Sequence, residues 1–247
     1  MDPDYKRPKI TYALIIINIA IFLLVFSMPE EMMNAVFENF ALSSSQMGEV
    51  WRWFTSLFLH ASASHLFFNM IGLYFFGKVL ENEVEKKWYL SIFFVGGLIG
   101  SFAFIMTSGM PVVGASGCVF ALMGAAMLLN PVKRVHFYIF PLPLAFVAIM
   151  FALTTTIVIY FQPEMGGVAH IAHFGGLAAG AIFAFFHEPK RAMKGLLVLI
   201  ICGAVLLILG PVLALITGFG GLMLSVIDTV IGAVLYTIAK LLSFLWI

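Results

Sequence analysis

The chain is a series of long apolar stretches separated by short charged loops, and this alternation restricts the fold more than any other feature. Of its 247 residues, 62% are hydrophobic and only 10% are charged, whereas a soluble domain has roughly 25% charged residues. A soluble fold of this size cannot bury so much apolar surface. The sequence therefore predicts an all-α, polytopic membrane helix bundle surrounded by the lipid bilayer.

Eight apolar segments are candidates for transmembrane helices, each of which needs roughly 17–25 mostly apolar residues. The fourth is so short that it crosses a bilayer only if it begins below the surface. In the fifth, Pro141 and Pro143 fall in the first turns, where proline is tolerated. The predicted spans are Ile10–Met28, Ser64–Leu80, Trp88–Thr107, Ser116–Asn130, Phe137–Phe161, Val168–His187, Gly195–Thr217 and Leu222–Ile247.

Lysine and arginine in the loops predict the orientation, because cytoplasmic loops of membrane proteins carry an excess of both. With these spans, one side of the membrane receives 11 of the 13 basic residues and the other receives only Arg52. The N-terminus is therefore predicted to be cytoplasmic. The longest outer segment, Pro29–Ala63, is predicted to include a half-inserted helix. The apolar face of that helix comprises Met33, Val36, Phe37 and Phe40.

Polar residues open the second, fourth and sixth spans, and they are the main functional signal because polar groups at membrane depth are costly. These three spans run in the same direction, from outside to inside, so their polar residues are predicted to share one depth near the outer surface. The polar residues concerned are His60, His65, Asn69, Ser116, His170 and His173, and the glycines Gly114, Gly117 and Gly176 lie among them.

Several of the polar residues have a structural interpretation when each is taken alone. A single histidine near a helix end is often interfacial, which applies to His60 and His170. Asn18, in the first span, is interpreted as a donor of an interhelical hydrogen bond. His136 and His187 lie at the cytoplasmic side and are interpreted as structural.

Taken together, the three groups indicate a serine nucleophile with a histidine base. Ser116 begins its helix, where the helix dipole favours negative charge, and a serine needs an adjacent base at neutral pH. His173 lies at a compatible depth, about one turn into its span. His65 and Asn69 are four residues apart on one helix face and are predicted to donate hydrogen bonds to an oxyanion. The absence of a nearby acidic residue in the sequence favours a dyad over a triad.

Three further features support a site at that depth. Phe120 follows the serine by one helical turn and is predicted to pack against His173. Gly176 and Gly180 form a GxxxG pair, which allows close helix approach. The loop Ser108–Ala115 has no charged residue and is predicted to dip into the membrane beside a water-filled cavity.

These motifs resemble those of the rhomboid intramembrane serine proteases over residues 10–187. The matching motifs are Trp51-Arg52, His60-x4-His65-x3-Asn69, Gly114-Ala-Ser116-Gly117 and Ala172-His173-x2-Gly176-x3-Gly180. The resemblance implies a six-helix core, predicted for residues 1–190, that cleaves single-span or multi-span membrane protein substrates near the outer membrane face.

The resemblance also assigns roles to individual residues. It implies Ser116 as nucleophile and His173 as base, with an oxyanion hole made by Asn69, His65 and the serine backbone N–H. His60 and Arg52 are implied to be structural in the outer segment.

Two features depart from the family pattern. Phe120 occupies a position where many members have tyrosine, so the ring is kept and the hydroxyl is lost. Residues 191–247 form a hydrophobic extension of one or two helices beyond the six-helix core.

Two other functions stay open from the sequence. A catalytically inactive rhomboid-like protein that binds membrane clients is the first alternative, although such members typically lack the serine or histidine. A transporter or channel is the second, and it fits less well because its polar residues should continue through the midplane. Cys118 and Cys202 both lie in apolar segments and are interpreted as core residues, not as a disulfide or a metal site. No cofactor and no nucleic acid is predicted as a ligand. The expected location is a prokaryotic cell membrane.

Overall fold

The computed structural model describes residues 7–137, 140–161, 169–208, 226, 229–230 and 232–242, most of which are helical. A π-helical segment, Leu73–Gly77, joins α4 to α5, and short 3-10 helices cover Ser44–Gln46 and Ser56–Phe58. Two strands, β1 (Arg134–Phe137) and β2 (Phe140–Pro143), form a hairpin before α8. The helices are α1 (Lys9–Ser27), α2 (Glu30–Phe40), α3 (Val50–Thr55), α4 (Ala63–Gly72), α5 (Lys78–Glu81), α6 (Lys86–Thr107), α7 (Ser116–Leu129), α8 (Leu144–Phe161), α9 (Ala169–His187), α10 (Pro189–Ile208) and α11 (Gly232–Leu242).

Three described helices are long and apolar enough to cross a membrane, namely α1, α6 and the His170–His187 part of α9. Helix α7 is apolar but shorter. At 1.5 Å per residue it is about 21 Å long, less than the roughly 30 Å of the hydrocarbon core. This length agrees with the prediction that the fourth span begins below the membrane surface.

Helix α7 is the centre of the bundle. Every one of its residues from Gly117 to Leu129 is buried except Met127, which is half-buried. It packs against α6 and α9 along most of its length and also meets α4, α8 and α10. A helix that is apolar all round is expected to be buried by neighbours on every side, and α7 carries the candidate nucleophile at its first residue.

One carboxylate joins three segments at the inner end of the bundle, the end where α1 and α6 begin. Glu83, in the α5–α6 loop, accepts hydrogen bonds from Lys133 and Arg191, both at 2.8 Å. Arg191 also donates to Asn130, the residue that follows α7. Burial raises the pKa of Glu83, but the hydrogen bonds and charges of Lys133 and Arg191 outweigh it and hold the pKa below its usual value.

A second carboxylate fixes the start of α1 at the same end. Glu81 accepts the backbone N–H groups of Ile10 and Thr11, both at 2.8 Å, and the Thr11 hydroxyl at 2.8 Å. The same hydroxyl lies 2.9 Å from that of Tyr89 on α6. Because the first N–H groups of a helix have no intrahelical partner, Glu81 satisfies them from a neighbouring helix.

The fifth predicted span begins later than the sequence suggested. Residues 134–137 and 140–143 pair as antiparallel strands, with Phe137 opposite Phe140, and α8 begins only at Leu144. The prediction that Pro141 and Pro143 lie in the first helical turns was therefore wrong. Each proline disfavours helical geometry in the residue before it, and a two-stranded hairpin tolerates the missing N–H groups at its edges.

Asn18 also differs from its prediction. Its side-chain N–H donates to the Leu14 carbonyl of the same helix at 2.7 Å, and its Oδ1 atom is buried without a partner among the described residues. The expected interhelical hydrogen bond is replaced, in this part of the chain, by an intrahelical one. A short amide side chain readily reaches the carbonyl four residues earlier.

The two C-terminal spans lie only partly within the described residues. Helix α10 continues to Ile208 and packs against α7, α8 and α9, whereas α11 packs against α1 and α4. The rest of the predicted spans Gly195–Thr217 and Leu222–Ile247 is outside the described residues.

Candidate active site

The loop before Ser116 enters the bundle against α4. Gly114 has a φ of +112°, a left-handed conformation that favours glycine. A Cβ atom added there would lie 2.5 Å from His65 Nε2 and 3.7 Å from Asn69 Nδ2. Glycine is therefore required both by the backbone and by the close approach, and it brings the serine loop against the two predicted oxyanion donors.

Two hydrogen bonds donated by backbone N–H groups hold this loop in place. The Gly114 N–H donates to the Ser56 carbonyl at 2.8 Å, and the Ala115 N–H donates to His60 Nε2 at 3.5 Å. Burial, followed by the nearby His65, holds the pKa of His60 well below its usual value. A neutral ring leaves Nε2 free to accept, so His60 positions the residue directly before Ser116.

The candidate base is held by an aromatic stack. The rings of His173 and Phe120 are parallel to within 6°, with centroids 4.2 Å apart. Both side chains are buried. A third ring, that of Phe151 on α8, lies 5.9 Å from Phe120 in a tilted arrangement. The stack places His173 beside α7, one helical turn inward of Ser116.

Glycines bring α9 close enough to α7 for this stack to form. A Cβ atom added at Gly176 would meet the carbonyl of Gly117, and one added at Gly180 would meet the carbonyl of Ala121. On the α6 side, a Cβ atom added at Gly100 would lie 2.6 Å from the Ala172 carbonyl. The three helices therefore touch backbone to backbone, the arrangement typical of small residues at transmembrane interfaces.

Ser116 is half-buried, while the rest of the first two turns of α7 is fully buried. In the described part of the chain no hydrogen bond joins Ser116 and His173. Catalytic hydrogen bonds are often long without substrate and tighten in the complex. The two side chains therefore share one region of the bundle without forming a closed dyad.

The predicted oxyanion donors lie on one face of α4. Helix α4 begins where the Ser62 hydroxyl accepts the His65 N–H at 3.1 Å, which caps the helix. Asn69 is buried and donates one amide hydrogen to the His65 carbonyl at 3.0 Å. Because a side-chain amide has two donor hydrogens, Asn69 keeps one for a ligand.

Arg52 stabilises the outer segment away from the reacting groups. Its guanidinium is buried, and it donates to the Glu49 carboxylate at 2.8 Å and to the carbonyls of Glu38 at 2.6 Å and Ala41 at 3.0 Å. These contacts join the end of α2 to α3. Within α2, three of the four predicted apolar residues are half-buried, whereas Phe40 is exposed.

Two backbone contributions to the site have no signal in the sequence. Leu42 and Val112 exchange two backbone hydrogen bonds, of 3.2 and 2.7 Å, and thereby attach the outer segment to the loop that leads to Ser116. The other backbone contribution is the Ser56 carbonyl, which accepts the Gly114 N–H. Backbone atoms are common to all residues, so the side-chain pattern does not predict which of them meet.

The remaining histidines lie apart from the stack. His187 is at the inner end of α9, with its ring 5.5 Å from that of Trp88, and His136 is in strand β1. His170 is half-buried in the first turn of α9. Within the described ranges, no group of three or more His, Cys, Asp or Glu residues is arranged to hold a metal ion.

Comparison with known proteins gives the family of the chain. The Rhomboid domain family matches residues 47–190, which is more than half of the chain. Rhomboid protease GlpG of Pectobacterium atrosepticum is 30% identical over 187 residues, covering 75% of this chain and 65% of that protein. The GlpG proteins of Yersinia pseudotuberculosis and Klebsiella pneumoniae are 28% and 29% identical, covering 64% and 65% of their own lengths. The chain thus spans slightly less than two thirds of the length of these curated relatives, and it belongs to the rhomboid family of multi-pass helical membrane proteins.

Proposed function

We propose that this protein is an intramembrane serine endopeptidase that cleaves membrane protein substrates near the outer membrane face with a Ser116–His173 dyad. The observation that carries the proposal is the parallel stack of His173 on Phe120, one turn from Ser116 on the same helix. A buried imidazole held in this way beside a helix-initiating serine supports a pairing of nucleophile and base for acyl transfer.

The reaction follows from the positions of the side chains. The Ser116 hydroxyl attacks the carbonyl carbon of the scissile peptide bond, and His173 accepts the hydroxyl proton. The negative oxygen that forms accepts hydrogen bonds from Asn69, His65 and the Ser116 backbone N–H. His173 then gives the proton to the leaving amine, and water hydrolyses the acyl-enzyme by the same steps in reverse.

The architecture that we propose is a six-helix core over residues 1–190 with a hydrophobic extension over residues 191–247. The N-terminus is cytoplasmic and the membrane is a prokaryotic cell membrane. Basic residues at the inner end, such as Lys133 and Arg191, support this orientation, because positive loops stay on the cytoplasmic side. The scissile bond then lies near the outer end of a substrate helix.

Replacement of Ser116 by alanine tests the proposal. We expect Ser116→Ala to lower cleavage of a single-span substrate in liposomes by at least about 1000-fold, as for other serine nucleophiles. The matched control is Ser27→Ala, which removes a buried hydroxyl that donates to the Leu24 carbonyl within α1. Cleavage that persists in Ser116→Ala at the rate of the unchanged protein contradicts the assignment.

The alternative is a catalytically inactive protein that binds membrane clients, and the absence of a hydrogen bond between Ser116 and His173 is the observation that favours it. Labelling with a serine-reactive fluorophosphonate separates the two. An active dyad is labelled at Ser116, and the labelling is lost in His173→Ala. A client-binding protein retains its substrate without being labelled.

A further inference from the structure

The basic residues at the start of α10 face in two different directions. Arg191 turns toward the bundle, where it binds Glu83 and Asn130. On the same face, Ala192 is fully buried and a Cβ atom added at Gly195 would meet the Leu128 carbonyl. This face of α10 is therefore packed against the core, and its single cation is already paired.

Lys190 and Lys194 lie on the exposed side of α10. They are four residues apart, so both project from the same side of the helix, and both are exposed. Within the described ranges neither lysine forms an ion pair. The helix thus presents two uncompensated positive charges outward at the inner end of the bundle.

These lysines border a shallow cavity of about 420 Å³ at the α9–α10 turn, which is open to the surface. The other residues around it are Glu188, Pro189 and Arg191. The Glu188 carboxylate lies 3.5 Å from Arg191 and so balances that residue's charge. The charge left over in the cavity wall is that of the two lysines, which makes the cavity suitable for an anion.

An apolar stripe continues the same helix face toward the membrane centre. Leu197 and Ile201 follow Lys190 by seven and eleven residues, which places them on its side of the helix, and they are 55% and 63% exposed. At 1.5 Å per residue, Ile201 lies about 16 Å from Lys190 along the axis. This distance is close to half of the roughly 30 Å hydrocarbon core, the length of one leaflet.

We expect the lysines at the depth of lipid headgroups. Trp88 and His187 form an aromatic pair at the same end of the bundle, and tryptophan is enriched at the membrane–water interface. His187 immediately precedes Glu188 of the cavity wall. A cationic cavity at this depth, followed by an exposed apolar stripe one leaflet long, matches a molecule with an anionic head and acyl chains.

We propose that an anionic phospholipid binds to α10, with its phosphate in the cavity between Lys190 and Lys194 and an acyl chain along Leu197 and Ile201. The site is separate from the Ser116 region, at the other end of the bundle. Basic pockets beside transmembrane helices bind such headgroups in other membrane proteins. A soluble phosphate uses only the lysines, whereas the phospholipid uses the apolar stripe as well.

Native mass spectrometry of the purified full chain in detergent tests the site with dioleoyl phosphatidylglycerol as the probe. Each lysine near an anionic group contributes about a five-fold gain in affinity, so Lys190→Gln with Lys194→Gln should weaken binding by about 30-fold. The matched control is Lys9→Gln with Lys86→Gln, which removes two exposed lysines at the same end of the bundle but outside the cavity. Its affinity should stay within about two-fold of the unchanged protein.

Two further probes identify the source of the binding. Dioleoyl phosphatidylcholine has the same chains without net charge, and glycerophosphoglycerol has the headgroup without chains. Both should bind at least about 10-fold more weakly than dioleoyl phosphatidylglycerol. Three outcomes overturn the proposal. The first is an equal loss of affinity for dioleoyl phosphatidylglycerol in the two double variants. The others are binding of dioleoyl phosphatidylcholine or of glycerophosphoglycerol as tight as that of dioleoyl phosphatidylglycerol. An unchanged melting temperature for both double variants shows that the effect is local.

Discussion

The two ends of the bundle hold their polar residues in opposite ways. At the inner end the Glu83 carboxylate is saturated, with one oxygen bound to Lys133 and the other to Arg191. At the outer end, Asn69 bonds only within its own helix, and no hydrogen bond joins Ser116 and His173 in the described part of the chain.

This difference separates structural from functional polar groups. A buried polar group normally finds its partners within the protein, because an unmet one is costly. At the inner end the Glu83 carboxylate follows this rule and joins the loops between helices, whereas the buried Asn130 Nδ2 atom beside it has no hydrogen-bond partner among the described residues. The outer cluster, formed by Asn69, Ser116 and His173, retains hydrogen-bond donors that are not used within the protein. Glycine contacts and ring stacking hold it in place instead, which leaves its polar atoms available to a substrate.

Among the variants that compare the two ends, the largest effect is expected from Asn69→Ala, which tests the same hydrogen bond at each end. Asn69 and Asn82 each donate to the carbonyl four residues earlier, both at 3.0 Å. We expect Asn69→Ala to lower kcat by about 100- to 1000-fold, because an oxyanion donor is lost. Asn82→Ala, at the inner end, should leave kcat unchanged. Similar kcat values for the two variants, measured in liposomes, contradict the distinction.

Gly176→Val tests whether backbone contact between α7 and α9 holds the outer cluster. The added side chain collides with the Gly117 carbonyl and should push His173 away from Ser116. A displacement of about 1 Å is enough to lower cleavage by about 100-fold. Gly203→Val on α10 is the control, since nothing lies within 4 Å of its added Cβ atom. Normal cleavage by Gly176→Val shows that the close approach is dispensable.

A smaller effect is expected from the aromatic stack. Phe120→Leu removes the ring that lies against His173, and loss of such a pair corresponds to about 2- to 10-fold in rate. The loss should appear in kcat with KM unchanged, and Phe120→Tyr should retain the rate within about two-fold. Phe22→Leu breaks a stacked pair of the same 4.2 Å spacing in α1 and should not alter kcat. A fall in kcat in Phe22→Leu as large as that in Phe120→Leu argues against a positioning role for the stack.

The smallest effect on activity, and a clear effect on stability, is expected at the inner end. Glu83→Gln weakens the hydrogen bonds from Lys133 and Arg191, and hydrogen bonds to charged groups contribute about 1.5–3 kcal/mol. Each kcal/mol corresponds to about 2–4 °C in melting temperature for a chain of this size. Glu85→Gln is the control, because its pair with Lys87 is exposed on both sides. Equal melting temperatures for the two variants contradict a structural role for Glu83.

The stabilising effect of Glu83 is expected to depend on pH. Folding lowers the pKa of Glu83, so its stabilising effect is present above the unfolded carboxyl pKa of about 4.3. The effect is lost as the pH falls through the lower folded value. The melting temperature of the unchanged protein should therefore fall toward that of Glu83→Gln as the pH is lowered below about 4.

Much of the candidate site could be predicted from the sequence because it depends on topology. Helices that run the same way bring residues at their starts to one depth, which is why His65, Ser116 and His173 could be grouped. Phe120 could be placed against His173 from helical periodicity alone. The hairpin at residues 134–143 was missed, since an apolar run with two prolines fits both a late helix start and a short strand pair.

The sequence by itself determined that the chain is a helical membrane protein and which side chains open its polar spans, because hydropathy and periodicity are local properties. Only the tertiary structure decided how the serine loop is held, through the Ser56 carbonyl, His60 and the left-handed Gly114. It also decided that Arg191 is bound to the core while Lys190 and Lys194 face outward. Such outcomes depend on which segments that are far apart in the sequence meet in the fold. A local sequence pattern does not contain that information.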